Sequence, residues 1–167
     1  MGVVIRAATE ADQGAIRAII RAAQLNPMSL DWPRFVVADE GGQIVAVGQV
    51  KPHSDGSREL ASIAVIPSRQ RQGLGRQIIR ALLAREPGPL YLVCMDHNDS
   101  YYQQFGFRRV EAPALPPALR RIYRVGRALS AMAVRLAGRQ GFLIAMYRPA
   151  TPPGSTSSVP SSAGGAA

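Results

Sequence analysis

A chain of 167 residues, 47% of them apolar, is long enough for one domain with a buried core. It has no run of roughly 18 apolar residues, so no transmembrane helix is expected, and Met1–Arg6 lacks the apolar stretch of a signal peptide. The net charge of +9 comes from nineteen arginines and one lysine, Lys51, and it favours an anionic cofactor, nucleic acid, an acidic protein or a membrane surface as partner.

Val3–Ala7 reads as a first strand. Thr9, with Asp12 three residues on, is a variant of the capping box and opens a helix over Glu10–Gln24, with Ile16, Ile19 and Ile20 at helical spacing. Asn26-Pro27 ends it. Arg34–Ala38 and Gln43–Val50 are strand-like runs split by "DEGG", a hairpin signal, and "PHSDGS" separates them from a third strand, Glu59–Ile66. Gly75–Arg85 is a helix stopped by "EPGP". Leu90–Met95 is almost wholly apolar, as suits a central strand buried on both faces. A short helix follows "HNDS", Gly106 closes it, and Phe107–Val110 is the next strand. "APALPPAL" leads into a long helix over Pro117–Arg139, and Gly141–Arg148 is the last strand. The tail Pro149–Ala167 is uncharged and rich in Pro, Gly, Ser, Thr and Ala, so it is expected to be disordered. The order β-α-β-β-β-α-β-α-β-α-β describes a mixed α/β sheet with helices on its faces, in one domain over residues 1–148.

The stretch "VIPSRQRQGLGRQII", Val65–Ile79, concentrates charge and backbone freedom between a strand and a helix. Amide groups at a helix start have no intrahelical partner and lie at the positive end of the dipole. Gly73 and Gly75 allow a ligand to approach the backbone, Arg69, Arg71 and Arg76 add charge, and Gln70 and Gln72 add donors. The combination suits a phosphate or pyrophosphate. It is not a phosphate-binding loop of the Gly-Lys-Ser/Thr type, and Ile78 stands where a dinucleotide-binding GxGxxG would have glycine. The alternative is a plain strand-to-helix turn with solvated arginines.

The same stretch resembles the signature of the general N-acetyltransferase (GNAT) superfamily: a strand, V-x-P, then Gln70-Arg71-Gln72-Gly73-Leu74-Gly75 and a helix. Downstream, "YYQQFGF", Tyr101–Phe107, is similar to the family's second signature. The resemblance covers residues 3–111, with Gly141–Arg148 as the closing strand. It implies the GNAT fold: a mostly antiparallel sheet, one splayed parallel strand pair, and helices on both faces. It implies acetyl-CoA as co-substrate, with its pyrophosphate on the amides of Gln70, Arg71, Gln72, Gly73, Leu74 and Gly75, and Arg76 nearby. The pantetheine arm would pair with Ala64 and Val65 in the gap between Glu59–Ile66 and Leu90–Met95, and the Val65 amide could polarise the thioester carbonyl. Tyr102 corresponds to the family's proton donor, with Tyr101 beside it as a packing residue. Asn98 is the candidate for the asparagine that touches the CoA arm, across a shorter spacing than the family's. Glu59 is the candidate base, against the bland reading of a solvated strand-end glutamate, and His97 is the alternative. Cys94 reads as core rather than nucleophile. Cys94, His53 and His97 do not make a zinc site, which needs about four ligands, and a lone cysteine makes a reducing cytoplasm the default.

The connection between Val110 and Gly141 departs from the family by its length and its helix. On a helical wheel Leu119, Ile122, Tyr123, Val125, Leu129, Met132, Val134 and Leu136 fall in one arc and Arg120, Arg121, Arg124, Arg127, Arg135 and Arg139 in the other. The plain reading is an extra helix packed on the sheet with a solvated arginine face. Others are a border to the acceptor site, a dock for nucleic acid, a ribosome or a membrane surface, or a self-association helix giving a homodimer. The "LPP" insertion with its following helix resembles those of bacterial and plastid-type GNAT proteins of cyanobacterial ancestry. Three functions compete: an acetyltransferase acting on a primary amine, a non-catalytic acyl-CoA sensor, and a nucleic-acid-binding module. Against the last, only Tyr123 lies among the arginines as a stacking ring.

Overall fold

The computed structural model describes the backbone of residues 2–137 and 141–150, and the side chains of these residues other than 130–137. The expected disorder of the tail, the helix end at Arg139 and the wheel positions from Met132 onward fall outside that description. In chain order the elements are β1 (Val3–Ala7), α1 (Gln13–Ala22), β2 (Phe35–Glu40), β3 (Gln43–Pro52), β4 (Arg58–Val65), α2 (Leu74–Arg85), β5 (Leu90–Met95), α3 (Asp99–Gln103), β6 (Arg108–Val110), α4 (Pro117–Ala137) and β7 (Leu143–Arg148). The strands form one sheet in the order β1-β2-β3-β4-β5-β7-β6. Every neighbouring pair is antiparallel except β4 and β5.

Local chemistry accounts for the element ends. The Asp12 carboxylate accepts from the Thr9 amide at 2.7 Å and from its hydroxyl at 2.9 Å, and Arg6 clamps Asp12 to Asp39. That tightens Glu10–Asp12 into a 3-10 turn, so the regular helix starts three residues later than the periodicity suggests. Gly41 and Gly42, both at positive φ, make the two-residue turn between β2 and β3, whose mirror-image twist suits a hairpin. Arg34 lies in a 3-10 turn rather than a strand.

Alternation along β2 separates the two sides of the sheet. Val36 and Ala38 pack in a cluster with Ile78, Ile79 and Leu82 of α2, whereas Phe35 and Val37 pack with Ile16, Ile19 and Ile20 of α1. On β5, Leu90 and Leu92 join the α2 cluster, while Tyr91 and Val93 meet Leu115 and Tyr123 on the other face. Helix α2 therefore covers one face, and α1 and α4 share the opposite one.

Strand β5 is central, but it is not buried on both faces as its composition suggested: only Leu90 and Leu92 are buried, and Tyr91, Val93, Cys94 and Met95 are half-covered. The cause is its neighbour. Among the described residues β4 and β5 share a single ladder pair, Glu59 with Tyr91, at their N-terminal ends. Beyond it the strands part.

Candidate functional site

Three features of the loop after β4 make it an anion cradle. Arg71 and Gly73 both take positive φ, +61° and +80°, and Gly73 is the residue that opens α2. This alternation turns successive amides to one side. Outside helices and strands, no described backbone bond uses an amide of residues 71–76 as donor; the next donor is Gln77, to Gly73. A concavity of about 480 Å³ lies over these amides, lined among others by Val65, Gln70, Gly75, Arg76 and Tyr101. At Gly75 a Cβ would stand 3.0 Å from the Tyr101 hydroxyl, so glycine keeps the floor open there.

The side chains divide the work differently from the sequence reading. The Gln70 amide donates to the Val65 carbonyl and that of Gln72 to the Ser68 carbonyl, so both brace the loop. Arg69 is ion-paired with Glu40 at 2.5 Å, and its charge is thereby partly neutralised. Exposed Arg71 and Arg76 are the cations that face solvent at the cradle. Leu74 is buried and anchors the helix start, contributing only backbone to the cradle.

The opening beside this loop has a structural cause. Val47 pairs with Ala64 and Gln49 with Ala61, so Gly48 faces two residues of β4, Ser62 and Ile63. Ser62 carries the extra residue at φ +58°. The bulge is held by the Gln49 side chain, fully buried, which donates to the Ser62 hydroxyl at 3.0 Å. A Cβ on Gly48 would lie 2.6 Å from both Ile63 and Ile78 side-chain carbons, so the bulge and α2 pack against a residue with no side chain. The bulge bends β4 away from β5 and reverses its parity: Leu60 faces the α2 cluster, and so do Ile63 and Val65, while Ala64 turns to the α1 side.

Glu59 sits at the closed end of the gap. Leu60 faces α2, so Glu59 projects to the α1/α4 face. There its carboxylate meets the His53 ring nitrogen Nε2 at 2.9 Å, with both side chains about nine-tenths covered. This is not a solvated strand-end glutamate. Tyr102 packs on the α2 side against Tyr101, 5.3 Å between ring centroids, and Phe107. Burial, with Cys94 and Tyr101 nearby, pushes its phenol above the ordinary value, so it holds its proton at neutral pH. Tyr101 is raised by burial and pulled back by Arg76. Asn98 is the residue before α3 and lies outside the concavity, as does buried Ala64. No described contact links Glu59 to Tyr102; the gap separates them. Cys94 is half-buried, and burial pushes its thiol up to about 12, which leaves it un-ionised. His97 is exposed, away from the gap's closed end.

Two residues escaped the sequence reading. His53 was considered only as a metal ligand, although "PHSDGS" places it six residues from Glu59, across a hairpin turn. Asp55 of the same turn accepts the Ala118 amide at 2.8 Å and so caps α4 from outside. Its carboxyl is lowered to about 2, chiefly by the Ser57 hydroxyl and then by that amide. The bulge did leave a trace: the apolar positions Leu60, Ile63 and Val65 break the period of two. Helix α4 packs less completely than the wheel implied. Leu119 and Tyr123 are buried, but Ile122, Val125 and Leu129 are exposed.

Residues 31–109 match the family described as Acetyltransferase (GNAT) domain. No curated protein matches the chain by sequence. Among solved structures, N-acetylglutamate synthase from Neisseria gonorrhoeae, complexed with coenzyme A and N-acetyl-glutamate, is 20% identical with a TM-score of 0.68, over 89% of this chain and 35% of that one. The chain thus spans about a third of the synthase. The ribosomal-protein-S18-alanine N-acetyltransferase from Escherichia coli is 20% identical with a TM-score of 0.64, over 93% and 98%. Rv2747 from Mycobacterium tuberculosis, in complex with CoA and NLQ, is 18% identical with a TM-score of 0.64, over 87% and 98%. At these identities the likeness is one of fold. Among the described residues no helix is long and apolar enough to cross a membrane.

Proposed function

We propose that the chain is a member of the GNAT superfamily, whose domain model matches residues 31–109, and an N-acetyltransferase, one domain over residues 1–148, moving the acetyl group of acetyl-CoA to a primary amine in the cytoplasm. The observation that carries this reading is the gap. A single β4–β5 ladder pair leaves two strand edges unpaired, and the gap between them leads to the cradle over Gly73 and Gly75. A pyrophosphate fits the free amides of residues 71–76 beside Arg71 and Arg76, and an extended amide-bearing arm fits along β4 at Ala64 and Val65, where the Val65 carbonyl already accepts from the Gln70 side chain. Acetyl-CoA, when bound, supplies the activated acetyl group.

The chain's own residues then have distinct tasks. The Val65 amide would donate to the thioester carbonyl oxygen. Glu59, on the α1/α4 face, accepts a proton from the incoming amine, directly or through water. Tyr102, whose burial keeps it protonated, donates to the departing sulfur. Asn98, the residue before α3, would touch the CoA arm.

Thiol release from acetyl-CoA with a panel of amines tests the reading, in the wild type, Tyr102→Phe and Glu59→Gln. The expected result is turnover in the wild type, with each variant losing on the order of 100-fold in kcat and binding acetyl-CoA normally by calorimetry. Acetyl-CoA binding without turnover on any amine would favour the sensor. No binding would overturn the proposal.

A further inference from the structure

The orientation of α4 defines one wall of the gap. Leu119 and Tyr123 are buried, the Tyr123 hydroxyl donates to the Leu143 carbonyl at 3.2 Å, and a Cβ on Gly126 would meet Leu143 at 3.0 Å. These three positions mark the side of α4 that faces the sheet. At about 100° per residue, Arg120 and Arg127 lie about 75–95° to one side of it, Ile122 and Leu129 about 65–90° to the other, and Val125 further round on that other side, at about 125°.

Which flank points where follows from contacts. Arg120 donates to the carbonyls of Pro113 and Leu115, at 2.7 and 2.8 Å, in the segment that leaves β6, so its flank faces the β6 edge. The helix starts at Asp55, in the turn that leads into β4, and reaches Leu143, the first residue of β7 and the ladder partner of Met95. It therefore runs alongside β5 in the direction of that strand. The opposite flank accordingly faces β4, above the gap. On the other side of the sheet the gap is backed near Glu59 by Leu60, Leu92, Ile78 and Ile79 of the α2 cluster, and beyond them it opens on the cradle beside Val65 and Tyr101. The side left for an acceptor is the one that α4 borders.

That border is apolar. Ile122, Val125 and Leu129 are 46%, 57% and 59% exposed. From residue 112 to residue 148 the chain has seven arginines and no acid, so α4 offers nothing to pair with a second positive charge on an acceptor. Resting on the acetyltransferase reading, we infer that the acceptor is a primary amine whose neighbouring group is apolar, such as a free peptide N-terminus followed by large aliphatic or aromatic side chains, seated against Ile122, Val125 and Leu129. Polyamines are disfavoured by charge, and acidic or small polar N-termini gain nothing from covering this wall.

The test compares three acceptors on the full-length chain: a peptide beginning Met-Leu-Phe, one beginning Ser-Asp-Glu, and spermidine. A variant combining Ile122→Ser, Val125→Ser and Leu129→Ser is run beside Arg124→Gln, a change on the helix's solvent side. The wild type is expected to prefer the apolar peptide. In the triple variant its KM should rise about tenfold or more, with acetyl-CoA affinity unchanged, and Arg124→Gln should leave both alone. Preference for spermidine or the acidic peptide would overturn the inference. So would an unchanged KM in the triple variant, including the case where sedimentation shows that the variant has instead dissolved a dimer. Acetyl-CoA binding without turnover of the apolar peptide also overturns it. Loss of the acetyltransferase reading itself is distinguished by the absence of acetyl-CoA binding in the wild type.

Discussion

Helices α2 and α4 were both legible as amphipathic helices, yet only α2 buries its apolar side. Leu74, Ile78, Ile79 and Leu82 are all buried, whereas α4 buries Leu119 and Tyr123 and leaves Ile122, Val125 and Leu129 to solvent. The difference lies in what each helix lands on. Helix α2 crosses between parallel strands and meets the middle of the sheet, with side chains of β2, β3, β4 and β5 under it. Helix α4 is inserted between β6 and β7, and its apolar flank lies toward the gap where β4 parts from β5, so the sheet beneath that flank is interrupted and only Leu119 and Tyr123 find cover. Periodicity reports that a helix has an apolar face; the width of the surface beneath decides how much of it is core.

The comparison predicts its largest effect in the core. Ile78→Ala should cost about 2–5 kcal/mol in urea unfolding, since a fully buried side chain leaves a cavity. Val125→Ala should stay within about 0.5 kcal/mol. Equal costs would mean that the exposed flank of α4 is covered in solution, and the acceptor wall would need another location. Next in size is the cradle. Gly73→Asp should weaken acetyl-CoA about 100-fold, or about 2.8 kcal/mol. Aspartate tolerates the left-handed conformation at φ +80°, so the loss would come from its charge beside the free amides. Gly73→Asn, matched in shape, should lose far less. Equal losses would make the site steric rather than electrostatic.

How much of this could be read beforehand varied with the kind of interaction. All seven strands and four helices lie where the periodicity put them, within a few residues, because strand alternation and helix spacing are local. The cradle was legible for the same reason: Gly73, Gly75 and the proline before them act through their own backbone. The β4–β5 splay came only with the family resemblance. Its immediate cause, the bulge at Ser62, depends on Gln49 and Gly48 of the neighbouring strand, a pairing no local window contains. The cap that Asp55 places on α4 is likewise tertiary, bridging 63 positions, whereas the contact of His53 with Glu59 spans only six residues and depends on the hairpin turn between them. The roles of individual arginines also escaped, since Arg69 looks identical to Arg71 in sequence and differs only in facing Glu40.

The smallest predicted effect concerns that cap. Asp55 is exposed, and its carboxyl is lowered to about 2, against about 3.9 in an unfolded chain. A lowered carboxyl stabilises the fold above the unfolded value and loses that contribution as pH falls through the folded one. The start of α4 should therefore loosen in the wild type between about pH 4 and 2, read as faster amide exchange at Ala118. Asp55→Ala should show the faster exchange already at pH 7 and no further change of that kind on acidification. Because Leu119 and Tyr123 still pack beneath, the helix itself should persist, with circular dichroism almost unchanged. The functional trace should fall on the acceptor rather than on acetyl-CoA: a looser helix start shifts Ile122 over the gap, while the cradle at Gly73 is built from other elements. A variant that weakened acetyl-CoA as much as it raised the acceptor KM would show that the helix and the cradle are one unit after all, and the division between the two regions would have to be redrawn.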